Sequence, residues 1–272
     1  MPTSEETRRR REAEDRARLQ AALERVIAQQ LAEELDRIAE EAARLAREKR
    51  NRDEIIALIL PMFYTTTLVA LLTGRLYAVA YAFADRTATS LGVTSSTVTD
   101  AAVRATQEWV PAFVSDQMRK VSKTTAKVIT RIVDAAVAEG ADDIEIGKRL
   151  ADALGGDRAV VRSRIIAATL SHATAGQASD NAARFTNLPI ARIWVSMEDT
   201  KVRPTHAIAD GQIVDLEHPF LVGGYYLRFP GDPLGPAREI MGCRCVALHT
   251  RAALTRTEPV PNRLIGRGPQ DR

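Results

Sequence analysis

The chain's two cysteines, Cys243 and Cys245, stand one residue apart. In extended backbone, residues i and i+2 face the same side, so both sulfurs can point at one centre. A disulfide between such near neighbours would be strained. Zinc takes four ligands, most often thiolate and imidazole. His206 is the candidate third ligand, and Asp199, His218 or His249 could supply a fourth. A lone Cys-x-Cys is a thinner signal than two Cys-x-x-Cys pairs. Its bland alternative is two small thiols packed against Trp194.

The same stretch supports a second chemistry. Arg203 could hold a phosphate and His206 could move a proton, beside Asp199, which gives a zinc-dependent hydrolase or nuclease using Asp199, Arg203, His206, Cys243 and Cys245. Against it, no second general acid is evident, and no glycine-rich phosphate loop precedes a helix. Asp199 then caps the turn at Thr200 to Arg203, and Gly223-Gly224 is a hairpin turn. His172, beside Ser171 on a helix, suits a local hydrogen bond better than a ligand. Trp109 and Trp194 read as core or helix-edge residues.

These residues sit in a region that reads as β. Pro189 to Met197 alternates and is rich in β-branched and aromatic residues, as a strand is. Turn signals follow closely at Asp210-Gly211, Gly223-Gly224, Pro230-Gly231-Asp232-Pro233 and Gly235-Pro236. Residues 189–250 are therefore expected to form a small, turn-rich α+β module. Residues 251–272 hold three prolines and five arginines and read as a flexible tail.

Everything before residue 189 reads as helix. Residues 1–54 carry 13 basic and 14 acidic residues. Leu31, Leu35, Ile38, Ala42 and Leu45 draw a narrow apolar stripe through them, which predicts a long charged helical arm. Such a thin seam suits a solvated helix, or an arm that docks on a partner helix or forms a coiled coil. Arg8 to Arg11, beside Glu5, Glu6 and Glu12, read as solvated surface rather than a nucleic-acid contact. From Ile55 to Gly74 no charge occurs, so a membrane span must be weighed, and with it a membrane-associated injection protein. Pro61 and Thr65 to Thr67 interrupt the run, and Arg75 lacks a matching basic flank. A buried core helix, or two broken at Pro61, is the preferred expectation. Across 55–188, helices are expected from Thr97 or Thr99 through Trp109, from Ser122 to Glu139, from Asp142 with Ile144, Ile146, Leu150 and Leu154 inward, and from Asp157 through Leu170. Short connections make this a helical bundle.

Over 272 residues, 38 basic against 35 acidic residues leave a net charge of +3. That balance argues against tight nucleic-acid binding by bulk charge. Aromatics at 5% argue against a stacking platform for single strands. The N-terminus has no apolar run behind its basic cluster, unlike a secretory signal.

The order Trp194, Asp199, Arg203, His206, Asp210-Gly211-Gln212, Pro219-Phe220, Pro230-Gly231-Asp232 and Cys243-Arg244-Cys245 resembles the C-terminal signature of the phage head-morphogenesis family. These are the Mu F-like minor head proteins of tailed phages. The likeness covers about residues 190–248. Helices at 142–154 and 162–183 resemble the pair that the family places before its β unit, and Ile56 to Pro61 its apolar opening. Gly242 stands where the family has Asn, and Ala168-Thr169-Leu170 where it often has Arg-Thr-Glu. The resemblance implies a virion protein in few copies, at the portal vertex and capsid interior, made in the bacterial host cytoplasm. Its partners would be the portal protein and the capsid interior, with some contact to packaged DNA and no small-molecule substrate or membrane. It implies a role in head assembly, genome packaging or ejection, and no enzymatic activity. Trp194, Arg203, Asp210, Gly211, Pro230, Gly231, Asp232 and Arg244 would be structural signature residues. From the ligand chemistry of the residues themselves, Asp199, His206, Cys243 and Cys245 are the candidates to hold a zinc ion.

Overall fold

A computed structural model describes residues 3–48, 51–94 and 96–251; the tail expected from residue 251 lies almost wholly outside the described residues. The fold is mainly helical, with a long N-terminal helix, further helices in the middle and a small strand-containing C-terminal region. The helices are α1 (Ser4–Arg47), α2 (Arg52–Ile59), α3 (Thr66–Ser90), α4 (Ser96–Ala138), α5 (Asp143–Leu154) and α6 (Gly156–Phe185). Then follow β1 (Ile190–Val195), α7 (Pro204–Ala209), β2 (Ile213–Asp215), β3 (Phe220–Val222), β4 (Tyr225–Leu227), α8 (Ala237–Ile240) and β5 (Val246–Arg251). By contacts the chain divides into two units, whose boundaries fall inside helices rather than in loops. One takes the described residues of 1–23, 76–108 and 171–272; the other takes those of 24–75 and 109–170.

In the second unit the seam of α1 is filled from within the chain. Leu31, Leu35, Ile38 and Ala42 are all buried. The helix packs closely on α5: a Cβ at Gly147 would sit 2.8 Å from the Ala43 carbonyl. Asp36 of α1 accepts a hydrogen bond from the Gly156 amide at 2.6 Å, where its charge meets the positive end of α6. The expected docking stripe is thus occupied in cis. Asp142 caps α5 by accepting from the Glu145 amide at 2.8 Å. Ile146, Leu150 and Leu154 of α5 are buried as the spacing predicts, but Ile144 is 68% exposed. It lies in the first turn, on the side away from Ile146 and Leu150.

Pro61 does break its helix, in a 3₁₀ turn over Leu60–Phe63. The stretch Arg52–Ser90 is long and apolar enough to cross a membrane by length and composition. Its burial is one-sided rather than all-round: Ile55, Ile59, Phe63, Leu68, Leu72 and Leu76 are buried, whereas Ala57, Leu58 and Ala70 are exposed. Pro111, by contrast, does not end its helix. The two helices expected on either side of it are one, α4. A proline there removes one backbone bond. Burial of Val110, Val114 and Met118 and stacking of Trp109 on Phe113 at 4.3 Å offset that loss.

In the first unit, β1 is the centre of an antiparallel sheet ordered β2-β1-β5. All six of its residues are buried. Trp194 joins Phe220, Leu227, Phe229 and both cysteines in one core, while Ile193 and Val195 pack with Leu248 and with Ala13 of α1. Arg192 is the polar exception, 1% exposed. Its guanidinium donates to Asp180 of α6 at 2.7 Å, to the His218 and Asp215 carbonyls at 2.8 and 3.2 Å, and to the Arg228 carbonyl. Its cross-strand neighbour His249 meets the other Asp180 oxygen at 2.9 Å. One buried Asp–Arg–His cluster therefore ties α6, β1, β5 and the loops after β2 and β4 together. The start of α1 is anchored on this module as well. Arg10 pairs with Glu198 at 2.6 Å and Asp210 at 2.7 Å, and it donates to the Ser196 carbonyl at 3.0 Å.

Two outcomes follow. A Cβ at Gly176 would lie 2.2 Å from the buried Phe229 ring, so Gly176→Val forces α6 off the module. Urea unfolding is expected to show a loss of about 1–3 kcal/mol, or failure to fold. Burial holds the His249 imidazole below its ordinary range despite Asp180. An unfolded histidine titrates near 6.5, so the unfolded state takes up the proton first as pH falls. The stability contributed at this site is full above about pH 6.5 and declines on acidification below it. In EDTA, which silences any metal-linked protons, the melting temperature should fall between pH 7.5 and 5.5. His249→Gln should fall less steeply.

Candidate metal centre

His206 reaches the core because α7 starts at Pro204, whose fixed φ suits the first helical position. Cys243 and Cys245 lie on the extended lead into β5, beyond α8 and Gly242, which turns at φ +64°. The three side chains meet in the core. His206 is 1% exposed, Cys243 6% and Cys245 2%. Their ligating atoms all fall within 4.8 Å of one another, and the group could hold a metal ion. His206 Nδ1 lies 3.4 Å from Cys245 Sγ and 3.5 Å from Cys243 Sγ.

Those distances test the fit. Zinc–sulfur bonds near 2.3 Å and zinc–nitrogen bonds near 2.0 Å at tetrahedral angles put a nitrogen and a sulfur ligand about 3.5 Å apart. Both observed separations match that edge. A single imidazole N–H can satisfy only one sulfur, yet Nδ1 is nearly equidistant from two. Contact with Cys245 draws the Cys243 thiol below its ordinary range, and the same contact pushes Cys245 up. A soft cation bound to both sulfurs would displace the protons they hold.

Among the described residues no further His, Cys, Asp or Glu joins this group. Asp199 is engaged elsewhere: its exposed carboxylate takes both arms of Arg244, at 2.5 and 2.6 Å, and accepts from the Lys201 amide at 3.0 Å. Arg244 holds it well below the usual carboxylate range. His218 contacts Asp215 at 2.7 Å, His249 contacts Asp180, and His172 contacts Gln20 at 2.6 Å. Arg203 donates to the Met241 carbonyl, bracing the loop before Cys243. Asp199 and Arg203 thus engage separate partners, Arg244 and the Met241 carbonyl.

The other signature residues build the frame. Trp194 sets its edge against His206 at 5.4 Å and against Phe220 at 5.3 Å between ring centres. Asp210 accepts from the Ser196 amide at 2.6 Å as well as from Arg10, and Gly211 turns at φ +75° to donate to the Trp194 carbonyl at 2.8 Å. Buried Asp232 accepts from the Arg228 amide at 2.8 Å, from its guanidinium and from the Leu234 amide. Gly231 lets this Pro230-Gly231-Asp232 turn press on α6, since a Cβ there would be 2.3 Å from the His172 ring.

Three residues that matter here carried no motif: Asp180, Arg192 and Glu239. Arg192 left one trace, a lone charge inside the apolar run Ile190 to Val195. Glu239, buried on α8, lies with Oε2 3.2 Å from His206 Nε2. Nothing local in the sequence distinguishes it from a surface glutamate.

Residues 127–248 match the model of the family described as phage Mu protein F like protein. No curated protein and no solved structure matches the chain. The family match contains the complete His206–Cys243–Cys245 group and supports a Mu F-like head-morphogenesis family.

Asp199→Asn should retain the wild-type metal content, measured by mass spectrometry of emitted ions, and melt close to wild type. His206→Ala should lose the metal.

Proposed function

We propose that this chain, a phage head-morphogenesis protein by its Mu F-like match, is a minor head protein that acts structurally at the portal vertex. The observation that carries the reading is the family match over residues 127–248, the span that also holds the buried donor group. The protein sits in the capsid interior in few copies, contacts the portal protein, and serves head assembly, genome packaging or ejection. Its net charge of +3 suits contact with protein more than tight wrapping of DNA.

Within it, His206, Cys243 and Cys245 hold a zinc ion. When bound, zinc there links α7 to the lead of β5 and adds its binding energy to folding of the module. That suits a small module whose core is built on short strands and turns. The second reading is a zinc-dependent hydrolase or nuclease. One observation favours it: three protein ligands are the number that leaves a position for water. The burial of all three donors weighs against it, because they offer almost no surface to a substrate.

Three measurements test this. Purified protein should carry about one zinc per chain, and Cys243→Ser with Cys245→Ser should abolish it. Chelation with EDTA should lower the melting temperature of wild type and leave the double variant unchanged. Particles assembled in the host should contain the protein in far fewer copies than the major capsid protein, cross-linked to the portal. Its absence from particles, or cleavage of DNA by zinc-loaded wild type but not by the double variant, would favour the hydrolase.

A further inference from the structure

The imidazole of His206 has two ends, and the proposed zinc uses only one. With Nδ1 on a metal, the neutral ring would carry its proton on Nε2. That atom is fully buried and has no aligned hydrogen-bond partner. The nearest acceptor is Glu239 Oε2 at 3.2 Å, and this carboxylate is itself buried. A buried carboxylate needs a donor. It has one from the residue beside His206: Thr205 Oγ1 donates to Glu239 Oε2 at 2.9 Å. The β3–β4 hairpin also makes room for it. A Cβ at Gly223, which turns at φ +58°, would sit 2.7 Å from Glu239 Oε1. Three elements, α7, α8 and the hairpin tip, thus converge on one carboxylate behind the ring.

We infer that Glu239 is the positioning residue of the metal centre: it orients His206 by accepting from Nε2–H, which keeps Nδ1 on the two sulfurs. The inference rests on the zinc reading of the His206–Cys243–Cys245 group. Metal-bound histidines regularly give their second ring N–H to a carboxylate, which fixes the tautomer and makes the ring a better donor. Zinc on Nδ1 would make the Nε2–H a stronger donor to that carboxylate. Glu239 cannot serve as a direct ligand in the same pose, because its carboxylate lies at the ring's far nitrogen, away from both sulfurs.

Zinc affinity of the full-length chain, read by competition with a chromophoric chelator, tests this, together with the absorption spectrum of the cobalt(II)-loaded protein. Glu239→Gln should weaken zinc binding by about ten- to a hundredfold. Its cobalt spectrum should keep the intensity of the sulfur-to-metal charge-transfer band and the ligand-field bands of wild type, because the ligands are the same. Thr205→Val, which leaves the carboxylate in place but loosens it, should weaken zinc binding less, in the same direction. If Glu239→Gln does not fold, Thr205→Val alone carries the test. Zinc affinity within about twofold of wild type in the folded variants overturns the assignment. So does a changed ligand-field spectrum in Glu239→Gln, which would make Glu239 a direct ligand. Failure of the underlying metal reading looks different: wild type then binds neither zinc nor cobalt.

Discussion

Two thiols and an imidazole buried together within 4.8 Å cannot all be satisfied by one another. One ring nitrogen stands between two sulfurs at 3.4 and 3.5 Å, and the other ring nitrogen has no aligned partner. The C-terminal module is wrapped around this point. Trp194 and Phe220 wall it, α7 brings the ring, and the lead into β5 brings the sulfurs. A metal ion held by all three donors would resolve the conflict by taking the place of the thiol protons. Without one, the centre of a module of three- and six-residue strands would hold poorly paired polar groups, where each unmet one destabilises.

A second buried polar node holds this module to the helices that precede it. Arg192 is surrounded by Asp180 and by backbone carbonyls of the loops after β2 and β4. Removing either charge would leave the other stranded in the core, which is far more damaging than never having the pair. The two nodes divide the labour. The Arg192 cluster joins sheet to α6, and the His206 group closes the loops onto Trp194, on the same face of β1. The N-terminal helix adds a clamp through Arg10 on Glu198 and Asp210.

Much of this was legible in the residues. The strand at Ile190 to Val195, the hairpin turn at Gly223-Gly224 and the cap at Asp142 follow from local rules, because β-branched alternation, positive φ and an amide-accepting carboxylate act over a few residues. The pairing of His206 with both cysteines was legible too, since few ligand types were available. What spacing could not show was long-range partnership. Asp199 has the chemistry of a ligand and spends it on Arg244, 45 residues away. Glu239 looks like any exposed acid until the hairpin covers it. The stripe on α1 reads as unfilled only when the rest of the chain is out of view. Pro111 reads as a stop because its cost is local and the packing that offsets it is not.

X-ray absorption at the zinc edge of the purified full-length protein tests the central claim most directly. The account predicts two sulfurs at about 2.3 Å and at least one nitrogen at about 2.0–2.1 Å from a zinc ion. Protein that purifies without zinc and takes none up, or a zinc shell without sulfur, would contradict it.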